Sequence, residues 1–236
     1  MSCSRLVPGP VLAAAPAPAS APAADDARAR LLHAGLRFFA QQGYSNTSTR
    51  ELAEAAKVNV AAISYYFGDK AGLYRAVFFE PLAEPEDEIA RINAPGQCLL
   101  KTMCSFFETF MAPLRHGDAA RLCMKLRFRE MLEPTGLWDE EIAKGIKPLH
   151  DAMVALLARQ FGMKKADLEL HRLVISLAGL GVHVHVGRDI ADQLAPGLND
   201  QPDSVDVWVE RLSEYAMAMV QAEATRRGIR LKGKPT

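Results

Sequence analysis

The stretch Gly43-Tyr-Ser-Asn-Thr-Ser-Thr-Arg-Glu-Leu-Ala-Glu-Ala-Ala56, then Lys57, then Val58-Asn-Val-Ala-Ala-Ile-Ser-Tyr-Tyr-Phe-Gly-Asp-Lys70, decides the fold. It reads as two short helices joined by a tight turn. Gly43 ends the helix before it, because glycine enters the left-handed cap at little cost. Asn46, Thr47 and Ser48 offer side-chain oxygens to the first free N–H groups of the next helix. Glu51, three residues after Ser48, completes a capping-box spacing. This predicts a helix over 48–56, a turn at 57–59 and a helix over 60–66. Leu52, Ala53, Ala56, Val58, Ile63 and Phe67 supply a shared core, and the two alanines let the helices cross closely. Gly68-Asp69 breaks the second helix, Asp69 caps another over 70–79, and Pro81 and Pro85 close that segment.

Upstream, Leu31, Ala34, Gly35, Phe38 and Phe39 recur on one helical face, and Asp25 and Asp26 suit its start by capping and by charge. Residues 1–24 are Ala/Pro-rich. They read as a disordered arm or as the product of a start codon set too far upstream. Pro8, Pro10, Pro16, Pro18 and Pro22 argue against a secretory signal. Downstream, only helices are predicted, over 97–111, 119–132, 138–147, 149–161, 166–193 and 205–227. Their separators are Pro113, Pro134-Thr-Gly136, Pro148, Gly162 and a loop at 196–202. The expected fold class is all-α: a three-helix helix-turn-helix domain at 25–80, a larger helical domain at 81–227 and a basic tail at 228–236.

The 236 residues carry 28 Lys+Arg and 28 Asp+Glu, a formal net charge of zero, so any affinity for nucleic acid must come from local charge. No run approaches the ~20 apolar residues of a membrane span. A cytoplasmic protein that avoids membranes is expected. Cys3, Cys98, Cys104 and Cys123 form no C-x-x-C pair and are expected to be reduced thiols. H-E-x-x-H, G-x-S-x-G and P-loop motifs are absent. His183 and His185, two apart on a helix, point in different directions and make poor metal ligands; His171 lies earlier on the same helix. Glu84, Glu86, Asp87 and Glu88 read as a solvated charged face. No catalysis, metal or cofactor is expected.

The helix pair leaves the outer face of its second helix free for a DNA major groove. Ser48 and Thr49 at a helix start, with Arg50 beside them, suit a phosphate. Tyr65 and Tyr66 offer hydroxyls to phosphates and rings to sugars, and Lys70 adds a charge at the next helix start. Asn59, Val60, Ala61, Ala62 and Ser64 lie where base edges are read: the apolar ones suit thymine methyls, the polar ones base hydrogen bonds. Such patterns also occur in proteins that bind no DNA, and the pattern alone leaves both readings open.

With Gly72-Leu-Tyr74 added, this wording closely resembles the TetR (tetracycline-repressor-like) family over roughly residues 27–80, in its CecR-like branch. Arg127-Phe-Arg-Glu-Met-Leu-Glu-Pro134 resembles that branch's C-terminal domain. The resemblance implies that residues 60–66 form the recognition helix, and that Ser48, Thr49, Tyr65 and Lys70 touch phosphates. It implies a homodimeric repressor that leaves a palindromic operator when a small molecule binds, with drug-efflux or stress genes as targets. Activation, or regulation without a ligand, remains the alternative. Two departures stand out. Lys57 replaces the usual turn glycine, where a positive φ would cost about 1 kcal/mol. Ser64 stands where many members carry tyrosine.

For the larger domain, the expected ligand-pocket residues are Phe107, Phe110, Met124, Phe128, Met131, Trp138 and Met153, with Arg127 and His150 as polar groups. The alternative for each aromatic or methionine is plain core. The expected dimer contacts are Leu177, Leu180 and Val184 on one long helix and Trp208, Leu212 and Tyr215 on the last.

Overall fold

A computed structural model describes residues 24–80, 85–94, 96, 98–115 and 117–231. Most of the expected Ala/Pro-rich arm, and Lys232 and Lys234 of the expected basic tail, lie outside the described residues. All regular structure among the described residues is helical. The described residues form two compact units, one of residues 24–80 and 117–140, the other of residues from 85 to 115 and 141–231.

The first unit holds α1 (Ala24–Gln42), α2 (Thr49–Ala55), α3 (Ala61–Phe67) and α4 (Lys70–Phe79). Its core includes Leu31, Phe39, Leu52, Ala53, Ala56, Ile63, Leu73 and Val77. Gly43 ends α1 with φ +83°. The capping box of α2 forms as its spacing predicts: Glu51 N–H donates to Ser48 Oγ at 3.2 Å, and Ser48 N–H donates to Glu51 Oε2 at 2.9 Å. Asp69 caps α4 by accepting from Gly72 N–H at 2.7 Å. Gly72 has a steric reason of its own, since a Cβ there would lie 1.9 Å from the Phe67 carbonyl oxygen. A further helix from much later in the chain, α7 (Gly117–Leu132), packs on α1 and α4. The short α8 (Leu137–Glu141) follows it.

The second unit holds α5 (Pro85–Ile92), α6 (Leu99–Arg115), α9 (Lys147–Gln160), α10 (Leu168–Val186), α11 (Arg188–Leu194) and α12 (Ser204–Arg226). Met103, Phe107, Met111, Met153, Leu157, Leu177 and Val220 anchor its core.

Several sequence expectations change here. Pro113 lies inside α6 rather than between helices. Near it, α10 packs closely on α6: His185 Nε2 meets the Phe110 carbonyl oxygen at 2.7 Å, and a Cβ on Gly181 would sit 2.7 Å from Phe110 Cγ. Pro148 stands in the first turn of α9, where no N–H is needed, and a π-helical turn (Ile142–Ile146) leads straight into it. The helix expected over 166–193 bends by 71° at Gly187, giving α10 and α11. Glu88 is not solvated: it is 3% exposed, pairs with Arg91 and accepts from the Thr109 hydroxyl at 2.8 Å. Cys98 and Cys123 are free thiols. Cys104 is disulfide-bonded, against the expectation of reduced thiols. No single helix among the described residues is long and apolar enough to cross a membrane.

Candidate nucleic-acid interface

The turn between α2 and α3 forms a helix stop of the Schellman kind. Val58 N–H donates to the Ala53 carbonyl at 2.9 Å, and Lys57 N–H to the Glu54 carbonyl at 3.0 Å. That geometry places Lys57 at φ +54°, the one non-glycine residue with positive φ among those described. The turn seats Ile63 in the core and leaves the opposite face of α3 bare. Ala61, Ser64 and Tyr65 are exposed, Tyr65 by 81%, and Val60 by 44%. Ala62 and Tyr66 are half-buried, and the Tyr66 ring packs edge-on to Tyr65 at 4.8 Å. Asn59 is exposed, but its carbonyl oxygen is engaged: it accepts from Ala61 N–H at 2.9 Å and caps α3, leaving the amide NH2 to face outward partners.

Beside this face, Arg50 is exposed and Thr49 half-buried. Ser48 differs from expectation, because its hydroxyl donates to Glu51 Oε2 at 2.7 Å and is committed to the cap rather than to a phosphate. The Glu51 carboxyl is held below the usual range by that hydroxyl and the Ser48 N–H, with the Lys70 charge as a lesser cause. Lys70 therefore lies near the start of α2. Its Nζ sits 4.3 Å from the centre of the Tyr44 ring, a cation–π contact. Sequence reasoning passed over Tyr44 as a positioning group; its place directly after the helix-stopping Gly43 was the available signal.

The expected pocket residues divide between the units. Met124, Arg127, Phe128 and Met131 lie on α7 and Trp138 on α8, in the first unit. Phe107, Phe110, His150 and Met153 belong to the second, where Phe107 and Met153 are fully buried core. His150 Nε2 meets His171 Nδ1 at 2.9 Å, and burial, then His171, lowers the His150 pKa.

The expected dimer contacts differ in exposure. Leu177, Val184 and Leu212 are buried in their own unit. Leu180 is half-buried, and Trp208 is tied to Asn199 through its Nε1–H at 2.9 Å. Tyr215 alone of the six is exposed, at 53%. The other large apolar residues exposed on these helices are Leu168, Ile175, Val186 and Val207.

A bare helix held by a short turn over a packed partner, with an arginine, a lysine and tyrosines at its border, is a helix-turn-helix DNA-binding module. Residues 31–77 match the tetR family of bacterial regulatory proteins, and residues 101–223 match the C-terminal domain of the HTH-type transcriptional dual regulator CecR. The chain belongs to the TetR family of transcriptional regulators, in the group that carries the CecR C-terminal domain. The dual regulator CecR of Shigella flexneri is 30% identical over 164 residues, 64% of this chain and 73% of that protein. The fold is shared with NalD, the secondary repressor of the MexAB-OprM multidrug efflux pump in Pseudomonas aeruginosa, at TM-score 0.61 and 18% identity, covering 83% of this chain and 95% of that one. A TetR-like regulator from Rhodococcus sp. RHA1 is similar at TM-score 0.59 and 18% identity, covering 84% and 99%.

Proposed function

We propose that this regulator is a cytoplasmic homodimeric repressor that grips a palindromic operator with two copies of α3 and lets go when a small molecule binds. The bare face of α3 beside Lys70 carries this reading. In it, residues 25–80 are the DNA-binding domain and residues 81–227 the ligand-binding and dimerisation domain. Thr49, Arg50, Tyr65, Tyr66 and Lys70 hold phosphates. Val60, Ala61, Ala62 and Ser64, with the Asn59 amide, read base edges. Two half-sites need two reading heads ~34 Å apart or a multiple of that. The outward apolar residues Ile175, Val186, Val207 and Tyr215 support pairing of α10 and α12 with their copies. Of the expected pocket, Phe110 and His150 are the half-buried members of the second unit and the first to vary in a search for the ligand. NalD represses an efflux pump, so efflux genes are the first targets to examine.

Selection from a random duplex library tests the DNA half of this reading. Inverted repeats are expected; unrelated single sites would sink the palindrome. Transcript levels after gene deletion separate the modes. Repressed targets rise and activated ones fall. The second mode has one observation behind it, the role of the Shigella flexneri relative as a dual regulator.

A further inference from the structure

The motif Arg127–Pro134 lies in the region that matches the CecR C-terminal domain, yet its side chains serve the first unit. Arg129 donates to the Gln41 carbonyl at the end of α1. Glu130 is fully buried, and three donors converge on its carboxylate: the Tyr74 hydroxyl at 2.7 Å, the Thr135 N–H at 2.7 Å and the Thr135 hydroxyl at 3.0 Å. Tyr74 is itself 3% exposed. Its ring lies 5.0 Å from the Tyr44 ring and meets Phe39 edge-on at 4.9 Å. Tyr44 in turn holds the Lys70 ammonium over its face at 4.3 Å. An unbroken path of contacts thus runs from a buried carboxylate on α7, through two tyrosine rings tilted against each other, to the cation at the edge of the reading helix.

We infer that Glu130 is a positioning residue for DNA binding, fixing the Tyr74 and Tyr44 rings on which the Lys70 ammonium is aimed at a phosphate. This rests on the reading of Lys70 as a phosphate contact. The physical case is one of constraint. A lysine side chain has wide rotamer freedom, and ordering it on binding costs free energy. A ring fixed beneath the ammonium removes part of that cost beforehand. The ring is only as fixed as what backs it, and Glu130 gives the Tyr74 hydroxyl a single strong charge-assisted partner. Burial and the Glu130 bond both raise the Tyr74 phenol pKa far above neutrality, so it remains a donor throughout the range in which DNA binding is measured.

The test is a pair of double-mutant cycles read by salt dependence. The probe is the duplex recovered from the random library with the wild-type chain. Lys70→Ala should weaken binding and reduce the magnitude of the salt slope by about 1 per subunit. Tyr74→Phe keeps both rings but drops the bond to Glu130. It should weaken binding about three- to tenfold and lower the slope in the same sense. In the Lys70→Ala background, Tyr74→Phe should cost less than about twofold, because the cation it positions is gone. Glu130→Gln should behave likewise. If Tyr74→Phe or Glu130→Gln fails to fold, Thr135→Ala decides. That exposed change loosens the same carboxylate and should give a smaller effect of the same sign.

Equal losses in both backgrounds, or a full wild-type salt slope in the folded variants, overturns the inference and leaves Glu130 as plain core. If Lys70→Ala itself leaves the slope unchanged, the phosphate assignment of Lys70 fails and the inference falls with it. The two failures are thereby told apart.

Discussion

Lys57→Gly should stabilise the protein. Lys57 occupies the left-handed region at φ +54°, held there by the two hydrogen bonds that close α2. A side chain in that conformation costs about 1–2 kcal/mol. Glycine avoids this cost but loses about 0.5–1 kcal/mol more backbone entropy on folding than a residue with a Cβ. The difference leaves a net gain of about 0.5–1 kcal/mol. For a chain of this size that is a rise of about 1–4 °C in melting temperature. Calorimetry at fixed protein concentration reads it, since a dimer's melting point moves with concentration. Two controls separate backbone from charge. Lys57→Ala removes the ammonium and keeps the strain, so it should gain nothing. Lys57→Asn, which tolerates the left-handed region, should fall between. The order Gly above Asn above Ala is the signature of strain. A glycine variant no more stable than the alanine variant would refute the reasoning.

Gly72→Ala should be severely destabilising, by about 1–3 kcal/mol or more, because the new Cβ meets a backbone oxygen that no rotamer change can move; urea unfolding measures it. Stability should fall as pH drops below about 6.5. His150 and His185 have pKa values lowered by burial, so the unfolded chain takes up protons there before the folded one does, and acid favours unfolding in that window. His150→Gln should flatten the slope; an unchanged pH profile would count against the assignment. Ile175→Asp combined with Tyr215→Asp should yield monomers in sedimentation and abolish tight DNA binding, while Leu177→Asp should unfold the chain instead.

Which parts of this were legible in sequence follows from how local their causes are. The caps at Ser48 and Asp69, the stop at Gly43 and the strained turn at Lys57 are set by residues within a few positions, and each stands as read. The bare face of α3 follows from the same short range, since seating Ile63 fixes where Ala61, Ser64 and Tyr65 point. Ser48 and Asn59 show the limit. Their types suit both capping and DNA contact, and only the geometry shows that the cap takes the Ser48 hydroxyl and the Asn59 carbonyl. Long-range facts were harder. Glu88 sits in a run of acids, and its burial depends on Ser105 and Thr109 of α6, far along the chain. α10 and α12 carry apolar residues on more than one face, so periodicity identified the helices but not which face meets its own core. The expected contacts Leu177 and Leu212 lie on the inner face, and Ile175 and Tyr215 on the outer. Nor did the Arg127–Pro134 motif reveal in sequence that it packs beneath α1 and α4.

The zero net charge of the chain constrains how the proposed repressor holds DNA. Affinity gained by counterion release grows with the number of phosphates met by cations, and the log–log salt slope is about −0.9 for each. Among the residues assigned to phosphates, the cations are Arg50, exposed, and Lys70, half-buried. Two heads therefore bring about four such contacts and a slope near −3.6. Raising salt from about 50 to 200 mM should then cost only about a hundredfold in affinity, against the thousandfold or more expected when six to ten phosphates are neutralised. The remainder must come from the fit of the bare α3 face and from both heads engaging one duplex together. Such a binder is sensitive to the spacing of its heads, because losing one head forfeits most of a small total. A ligand then needs only to disfavour one spacing to empty the operator. A measured slope of about −8 or steeper would place many more cations on the DNA than α3 and its border provide, and the spacing mechanism would lose its basis.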